Sequence, residues 1–380
     1  MSKLQLISFV TEVDGMESRH RGTRVLPGKN HAVAYLKYEE VRHVVRNSRF
    51  QPGQEIEFGQ SESILLLSTW RSGSTFLGEL LNQMPGTFYN FEPLISLTVK
   101  ASNLLQKWPL TYIHDMIHCR TSQEFLDSSS DLFNEFTLSR NVRPWDACQF
   151  VRVRGTDENF CFNATMYNEL CRLYPKRLVK AVRGKLADLK SLLIDKTKFG
   201  DLSSNLKIVV LLRDPRGIMK SRYDVKWCQD ECLDEAELCR NLESNLNEAQ
   251  LLAQTHPDQV YLLRYEDLCL MPEKHVVSLF QFLGQPVSQV IKKYTVFHMS
   301  TQDSDQYGTR RKAKNQAFLW TKEMSISDIR RVEGRCQNFM TKAGYVAFPH
   351  DPQGTDAFQF LTSDTELWNY TETNEHWFLA

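Results

Sequence analysis

Apolar residues follow two rhythms along this chain. Short unbroken runs at residues 64–68, 178–182, 208–212 and 260–263 read as strands buried on both faces. Between them the spacing becomes helical. Phe76, Leu77, Leu80, Leu81 and Met84 form one stripe, and Met166, Leu170 and Leu173 a second. A helix is expected over 272–283. Another carries Ile326, Ile329, Val332, Cys336, Phe339 and Met340, with Ser325 and Asp328 placed as a capping box. Strands alternating with helices imply an α/β fold, a central and mainly parallel sheet flanked by helices. No internal repeat interrupts the pattern. A membrane-spanning helix needs about 20 consecutive apolar residues, and no apolar run here approaches that length, so no membrane span is expected.

Composition adds limits to this picture. The chain has 380 residues, with 46 Lys+Arg balancing 46 Asp+Glu, so bulk attraction to nucleic acid or to an anionic membrane is not expected. The charges are unevenly spread. Residues 1–61 hold a basic stretch and read as an N-terminal extension or stem, or as an extra packed strand and helix. Residues 62–346 form the main domain, and residues 347–380 an acidic tail, with no Lys or Arg after Lys342. The first ten residues imitate a signal sequence weakly, with no small-residue cleavage site, and are read as an ordinary start.

Nine cysteines are dispersed without a CxxC pair, so a metal cluster is not expected. They are either buried thiols or disulfides of a secretory lumen. Two sequons, at Asn163 and Asn369, permit glycosylation.

Two strand–helix junctions carry the candidate chemistry. The first run leads into Arg71, Ser72, Gly73, Ser74, Thr75 and Phe76, where a helix begins. Backbone N–H groups at a helix start, hydroxyls and a guanidinium can converge on a phosphate-type anion. The Walker spacing is missing, and a plain turn with a Ser cap fits the loop equally well. The second run ends at Leu212. Asp214-Pro215 then reads as a cap followed by a first-turn proline, with Arg213 at the mouth of the helix and Ser221 two turns along. Arg213 is placed to bind a terminal phosphate, or alternatively to pair with Asp214. Two such junctions in one sheet point to one ligand with two separated phosphate-type groups.

With these residues in view, the chain resembles the Golgi carbohydrate 6-O-sulfotransferases, which act on galactose, N-acetylglucosamine or N-acetylgalactosamine. The loop from Ser68 to Leu77 is similar to that family's 5′-phosphosulfate motif, and the stretch from Leu212 through Arg222 to its 3′-phosphate motif. The likeness continues through Phe91-Glu92-Pro93-Leu94, Lys180 to Arg183, Arg264 to Leu268 and Thr309-Arg310-Arg311, and covers roughly residues 62–346.

The resemblance implies a P-loop-kinase-like sulfotransferase domain. The donor would be 3′-phosphoadenosine 5′-phosphosulfate (PAPS), with no metal, the acceptor a glycan, and the location the Golgi lumen. It implies Arg71 and Glu92 as catalytic groups, Glu92 being the base. Arg213 and Ser221 would hold the 3′-phosphate, with Thr309, Arg310 and Arg311 on a basic loop over the nucleotide. Lys180 and Arg183 could face a ligand or form structural salt bridges, and Glu266 and Asp267 are expected to be scaffold. The chain departs from the family at Lys312 and Thr321 and by showing no signal-anchor helix, which leaves the donor motifs intact and the acceptor sugar open.

Overall fold

A computed structural model describes residues 62–95, 109–128, 137–142, 145, 162–301, 309–310, 312–349 and 360–361. The N-terminal extension, most of the acidic tail, Arg311, Cys148, Cys161 and the sequon at Asn369 lie outside them.

One five-stranded sheet is described: β1 (Glu62–Leu67), β2 (Thr87–Phe91), β3 (Lys176–Ala181), β4 (Leu206–Leu212) and β5 (Val260–Arg264), in the order β2-β3-β1-β4-β5. β2 pairs with β3 in parallel, from Thr87 opposite Lys176 to Phe91 opposite Lys180. β4 pairs with β5 in parallel, from Ile208 opposite Val260 to Leu212 opposite Arg264. β1, β3, β4 and β5 stand where the apolar runs place them, with bounds shifted by one or two residues. Their side chains are buried almost without alternation, as a parallel sheet covered on both faces requires.

β2 departs from the expectation. Its sequence TFYNF is broken by Asn90, so no clean apolar run marks it, and Phe91-Glu92-Pro93 reads as a turn after the first helix. In the structure Glu92 is the first residue past the carboxyl end of a parallel strand, at a positive φ of 46°.

The helices that matter to function are α1 (Ser74–Leu81), α2 (Pro109–Ile117), α3 (Gln123–Ser128), α4 (Ala164–Arg172), α5 (Pro215–Tyr223), α6 (Glu235–Thr255), α7 (Tyr265–Leu270), α8 (Pro272–Phe282), α9 (Gln289–Ser300) and α10 (Ile326–Ala343). Contacts divide the chain into two compact units. The first includes Gly78–Ala181 and Leu192–Leu206, hence β2, β3 and α2 to α4. Phe88 packs edge-on against Tyr167 and Tyr174, and a disulfide from Cys119 to Cys171 ties the end of α2 to α4. Arg140 pairs with the buried Glu79.

The second unit comprises Leu66–Leu77, Val182–Ser191 and the chain from Lys207 onward. Its longest helix, α6, has no counterpart among the expectations, although Leu238, Leu242, Leu246 and Ala249 recur at helical spacing and are buried. A disulfide from Cys239 to Cys336 joins α6 to α10. α10 begins as its capping box predicts, with Asp328 N–H donating to Ser325 Oγ at 3.1 Å. The remaining described thiol, Cys269, is buried.

Charge is also part of this unit's core. Asp214 caps α5 by accepting from Arg216 N–H at 2.9 Å, with Pro215 in the first turn. The Arg213–Asp214 pair allowed by the sequence does not form. Asp214 instead holds the fully buried guanidinium of Arg216, 2.7 Å away, which also donates to Glu333 at 2.7 Å and lies 4.0 Å from the Trp320 ring. The cap sets this choice: a side chain that turns back to the second residue of its own helix faces Arg216.

Glu266 lies beneath the same cap. It accepts from Asp214 N–H at 3.0 Å and from Tyr345 Oη at 2.9 Å. Burial, then the nearby Asp214 charge, pushes its carboxyl up to about 7. A raised folded pKa means that this group's stabilisation is complete below about pH 4.5 and is lost as pH rises through about 7. Glu266→Gln removes that component. The fall in wild-type stability between pH 5 and pH 8 should therefore shrink in the variant by up to about 3 kcal/mol, read from urea midpoints at the two pH values.

Candidate active site

β1 ends in a loop that is fixed before any ligand is considered. Ser68 Oγ donates to the Leu211 carbonyl at 2.8 Å, holding the loop's start to the end of β4. The hydroxyls of Thr69 and the buried Ser72 share a hydrogen bond of 2.8 Å. Two consecutive turns of left-handed backbone follow, with φ 70° at Arg71 and φ 85° at Gly73. A side chain at Gly73 would start 2.4 Å from the Tyr265 ring, so glycine is required there by both backbone and space. α1 then begins at Ser74, and its first-turn N–H groups have no partner within the helix by construction. Phe76 stacks against Tyr294 on α9, with ring centroids 6.1 Å apart.

The second junction meets the first. Arg71 Nε donates to Ser221 Oγ at 2.9 Å, although 150 residues separate them. Arg213 donates to the Arg71 carbonyl at 2.6 Å, and its guanidinium lies 4.6 Å from the Tyr265 ring. Its Nε is buried and has no hydrogen-bond partner. No carboxylate among the described residues forms a salt bridge with Arg213. Arg222, one residue past Ser221, is buried as well, and burial and the neighbouring Arg71 charge hold it down to about 10. Gathering like charges in a buried place is costly unless opposite charge compensates them. Among the described residues of this unit, the place where Arg71, Arg213, Ser221 and Arg222 gather is the one that best suits an anion.

An aromatic flank completes this cluster. Trp70 lies beneath the guanidiniums of Arg183, at 4.5 Å, and Arg222, at 5.6 Å. It packs against Val225 and the disulfide Cys228–Cys232. Arg183 thus belongs to the neighbourhood of the loop. Thr309 and Arg310 pack against α9, Thr309 Oγ1 being 2.9 Å from His298 Nδ1 and Arg310 5.5 Å from the Phe297 ring. His298 itself stacks on Tyr294 at 3.9 Å. Sequence reasoning finds nothing for the histidines, and this stacked one, which anchors Thr309, is a supporting residue it misses. Arg264 and Asp267 form a bidentate pair at 2.7 and 2.9 Å, and with Glu266 they are scaffold, as expected.

Glu92 belongs to the first unit. Its Oε1 accepts from Lys180 Nζ at 2.8 Å, and that ammonium lies 4.0 Å above the Phe91 ring. Lys180 is wholly buried, so desolvation lowers its pKa while Glu92 opposes the shift. The strand pairing explains the contact, because Phe91 and Lys180 are register partners and Glu92 N–H bonds the Lys180 carbonyl at 3.1 Å. Lys180 is therefore the partner of the candidate base.

Among the described residues no helix is long and apolar enough to cross a membrane. The sulfotransferase-domain family model matches residues 61–344. Carbohydrate sulfotransferase 3 of Tetronarce californica is 27% identical over 326 residues, covering 74% of this chain and 72% of that protein. Human carbohydrate sulfotransferase 6 is 28% identical over 331 residues, covering 74% and 80%. Among solved structures, the sulfotransferase domain from the Synechococcus PCC 7002 olefin synthase matches with 17% identity and a TM-score of 0.41, covering 76% of this chain and 98% of that one.

Proposed function

This chain belongs to the sulfotransferase domain family, and on that premise we propose that it moves the sulfuryl group of PAPS to a sugar hydroxyl, the 6-hydroxyl of galactose, N-acetylglucosamine or N-acetylgalactosamine. The observation that carries the donor half is Arg213, a buried guanidinium with no carboxylate partner among the described residues, bound to the loop of Arg71 and a neighbour of Ser221 through it. A 3′-phosphate supplies the missing counter-charge there. The α1 start with Ser72, Gly73, Ser74 and Thr75, together with Arg71, suits the 5′-phosphosulfate. Phe76, Thr309, Arg310 and Arg311 are assigned to the nucleotide's surroundings. The acceptor half rests on the named relatives, both carbohydrate sulfotransferases.

In this reaction the acceptor oxygen forms a bond to sulfur as the bond from sulfur to the bridging phosphate oxygen breaks. The proton leaves the acceptor hydroxyl for Glu92, and 3′,5′-adenosine bisphosphate departs with the bonding pair. Phosphoryl transfer gives the physical template, in which positioning and charge stabilisation do most of the work. Arg71 stabilises the charge that develops on the bridging oxygen, a role for which one well-placed donor is worth on the order of 3 kcal/mol. Lys180 Nζ donates to Glu92 Oε1 and fixes the orientation of the carboxylate.

The domain bounds 62–346 and a Golgi-lumen location form part of the same reading. The disulfides Cys119–Cys171, Cys228–Cys232 and Cys239–Cys336 support an oxidising compartment.

Binding of 3′,5′-adenosine bisphosphate tests the donor assignment directly. The wild type should gain several degrees in melting temperature at saturating ligand. Arg213→Ala should lose most of that gain, and 5′-AMP, which lacks the 3′-phosphate, should produce little gain in either protein. An equal gain for wild type and variant would remove Arg213 from the site.

A further inference from the structure

Three disulfides form among the described residues, and they differ in the loop each one closes. Cys119–Cys171 spans a separation of 52 residues and Cys239–Cys336 one of 97, whereas Cys228–Cys232 spans only 4. A cross-link stabilises a fold largely by restricting the unfolded chain, and the restriction grows with the loop. Cys228–Cys232 therefore does the least of the three for the fold as a whole. Its consequence is local.

What it holds is one side of the anion cluster. The sulfurs, with Val225 and Leu233, make a small apolar patch against which Trp70 packs. Trp70 precedes Arg71 in the loop after β1, and the guanidiniums of Arg183 and Arg222 lie over its ring. The backbone of the bridge makes a second hold, because Arg222 Nη1 donates to the Cys232 carbonyl at 2.7 Å in a buried setting.

Arg222 is thereby oriented as well as enclosed. It follows Ser221 on α5, is 6% exposed, and is near enough to Arg71 to feel its charge. A guanidinium is a rigid planar fork, so a bond at Nη1 and an indole beside it fix where its other donors point. Nε is one of these, buried and without a hydrogen-bond partner among the described residues. A buried cationic N–H left over beside a second cation is a donor suited to an anion.

We propose that Cys228–Cys232 is a clasp that positions Arg222, and that Arg222 Nε donates to the 5′-phosphosulfate of the bound donor. The proposal rests on the PAPS reading above and deepens it by adding a binding residue and its covalent support. The 5′ end is the one assigned because Trp70, the ring under Arg222, belongs to the loop that suits that group. Cys228 and Cys232 are positioning residues. Arg71 is held independently, by its bond to Ser221 and by Arg213 at its carbonyl, so opening the clasp leaves the chemistry in place.

The test compares wild type with Cys228→Ser/Cys232→Ser, Arg222→Met and the triple variant. Labelled-sulfate transfer gives kcat and the KM for PAPS. Calorimetric titration gives Kd for 3′,5′-adenosine bisphosphate and for adenosine 3′-phosphate, which lacks the 5′ group. Arg222→Met should weaken the bisphosphate roughly ten- to a hundredfold, the range for a hydrogen bond to a charged group. The serine pair should raise the KM for PAPS by roughly five- to tenfold with kcat unchanged, since Arg222 keeps its charge and loses its placement. The triple variant should bind no more weakly than Arg222→Met, because the bridge acts through that residue. Adenosine 3′-phosphate should bind all the proteins alike. The serine pair should also melt closer to wild type than Cys239→Ser/Cys336→Ser does.

Unchanged bisphosphate affinity in Arg222→Met, effects that multiply in the triple variant, or an equal loss for adenosine 3′-phosphate would overturn this proposal and leave the PAPS reading standing. A serine pair that does not fold, or melts as low as Cys239→Ser/Cys336→Ser, would overturn it too, since the bridge would then serve the fold. No binding of 3′,5′-adenosine bisphosphate by wild type would overturn both.

Discussion

Glu92→Gln should cut turnover by roughly 10²–10⁴-fold, the range a positioned general base contributes. Glutamine keeps a carbonyl oxygen for Lys180 Nζ, which in the wild type sits 2.8 Å from Glu92 Oε1, so the fold should survive the change. Nucleotide binding should survive too, since Arg71, Arg213 and Ser221 are untouched. The informative comparison is therefore kcat for sulfate transfer against the melting shift produced by 3′,5′-adenosine bisphosphate. Loss of the first with retention of the second assigns Glu92 to chemistry. Near-normal turnover would remove it from the mechanism, and loss of both would make it structural.

The largest effect on stability is expected at Arg216. Arg216→Ala leaves Asp214 and Glu333 without the buried guanidinium that each now contacts at 2.7 Å, and it uncovers the Trp320 face. Breaking a buried ion network from one side costs about 3–5 kcal/mol, a large part of the total stability of a typical domain. Arg216→Lys should recover little, because one ammonium cannot reproduce a fork that serves two carboxylates and the Val346 carbonyl. Urea unfolding of the three proteins gives the test, with both variants expected to have midpoints well below wild type and an unchanged m-value. A variant within 1 kcal/mol of wild type would mean that the network is worth little.

The parts of this account that were legible in the sequence are those written locally. The apolar runs at β1, β3, β4 and β5, the cap at Asp214-Pro215 and the capping box at Ser325 each depend on a few neighbouring residues, and the structure has them in place. The loop from Arg71 to Phe76 and the pair Arg213 and Ser221, singled out by residue type at two strand ends, meet in the structure through the hydrogen bond from Arg71 to Ser221.

Choice of partner was not legible. Asp214 turns to Arg216 rather than Arg213, which depends on the rotation of α5 about its own cap. β2 was hidden by Asn90, the polar residue that breaks its apolar run. The pairing of Cys119 with Cys171 and of Cys239 with Cys336 joins helices distant in the chain, which no spacing rule predicts. α6 was legible from its leucine spacing and was simply not among the elements expected.

The most direct test of the account is transfer of labelled sulfate from PAPS, by the purified protein, to a panel of defined glycans bearing galactose, N-acetylglucosamine or N-acetylgalactosamine. Label should appear on a sugar 6-hydroxyl, with 3′,5′-adenosine bisphosphate formed in equal amount and the signal abolished by Arg213→Ala. A folded protein that binds 3′,5′-adenosine bisphosphate yet labels no sugar in the panel would contradict it.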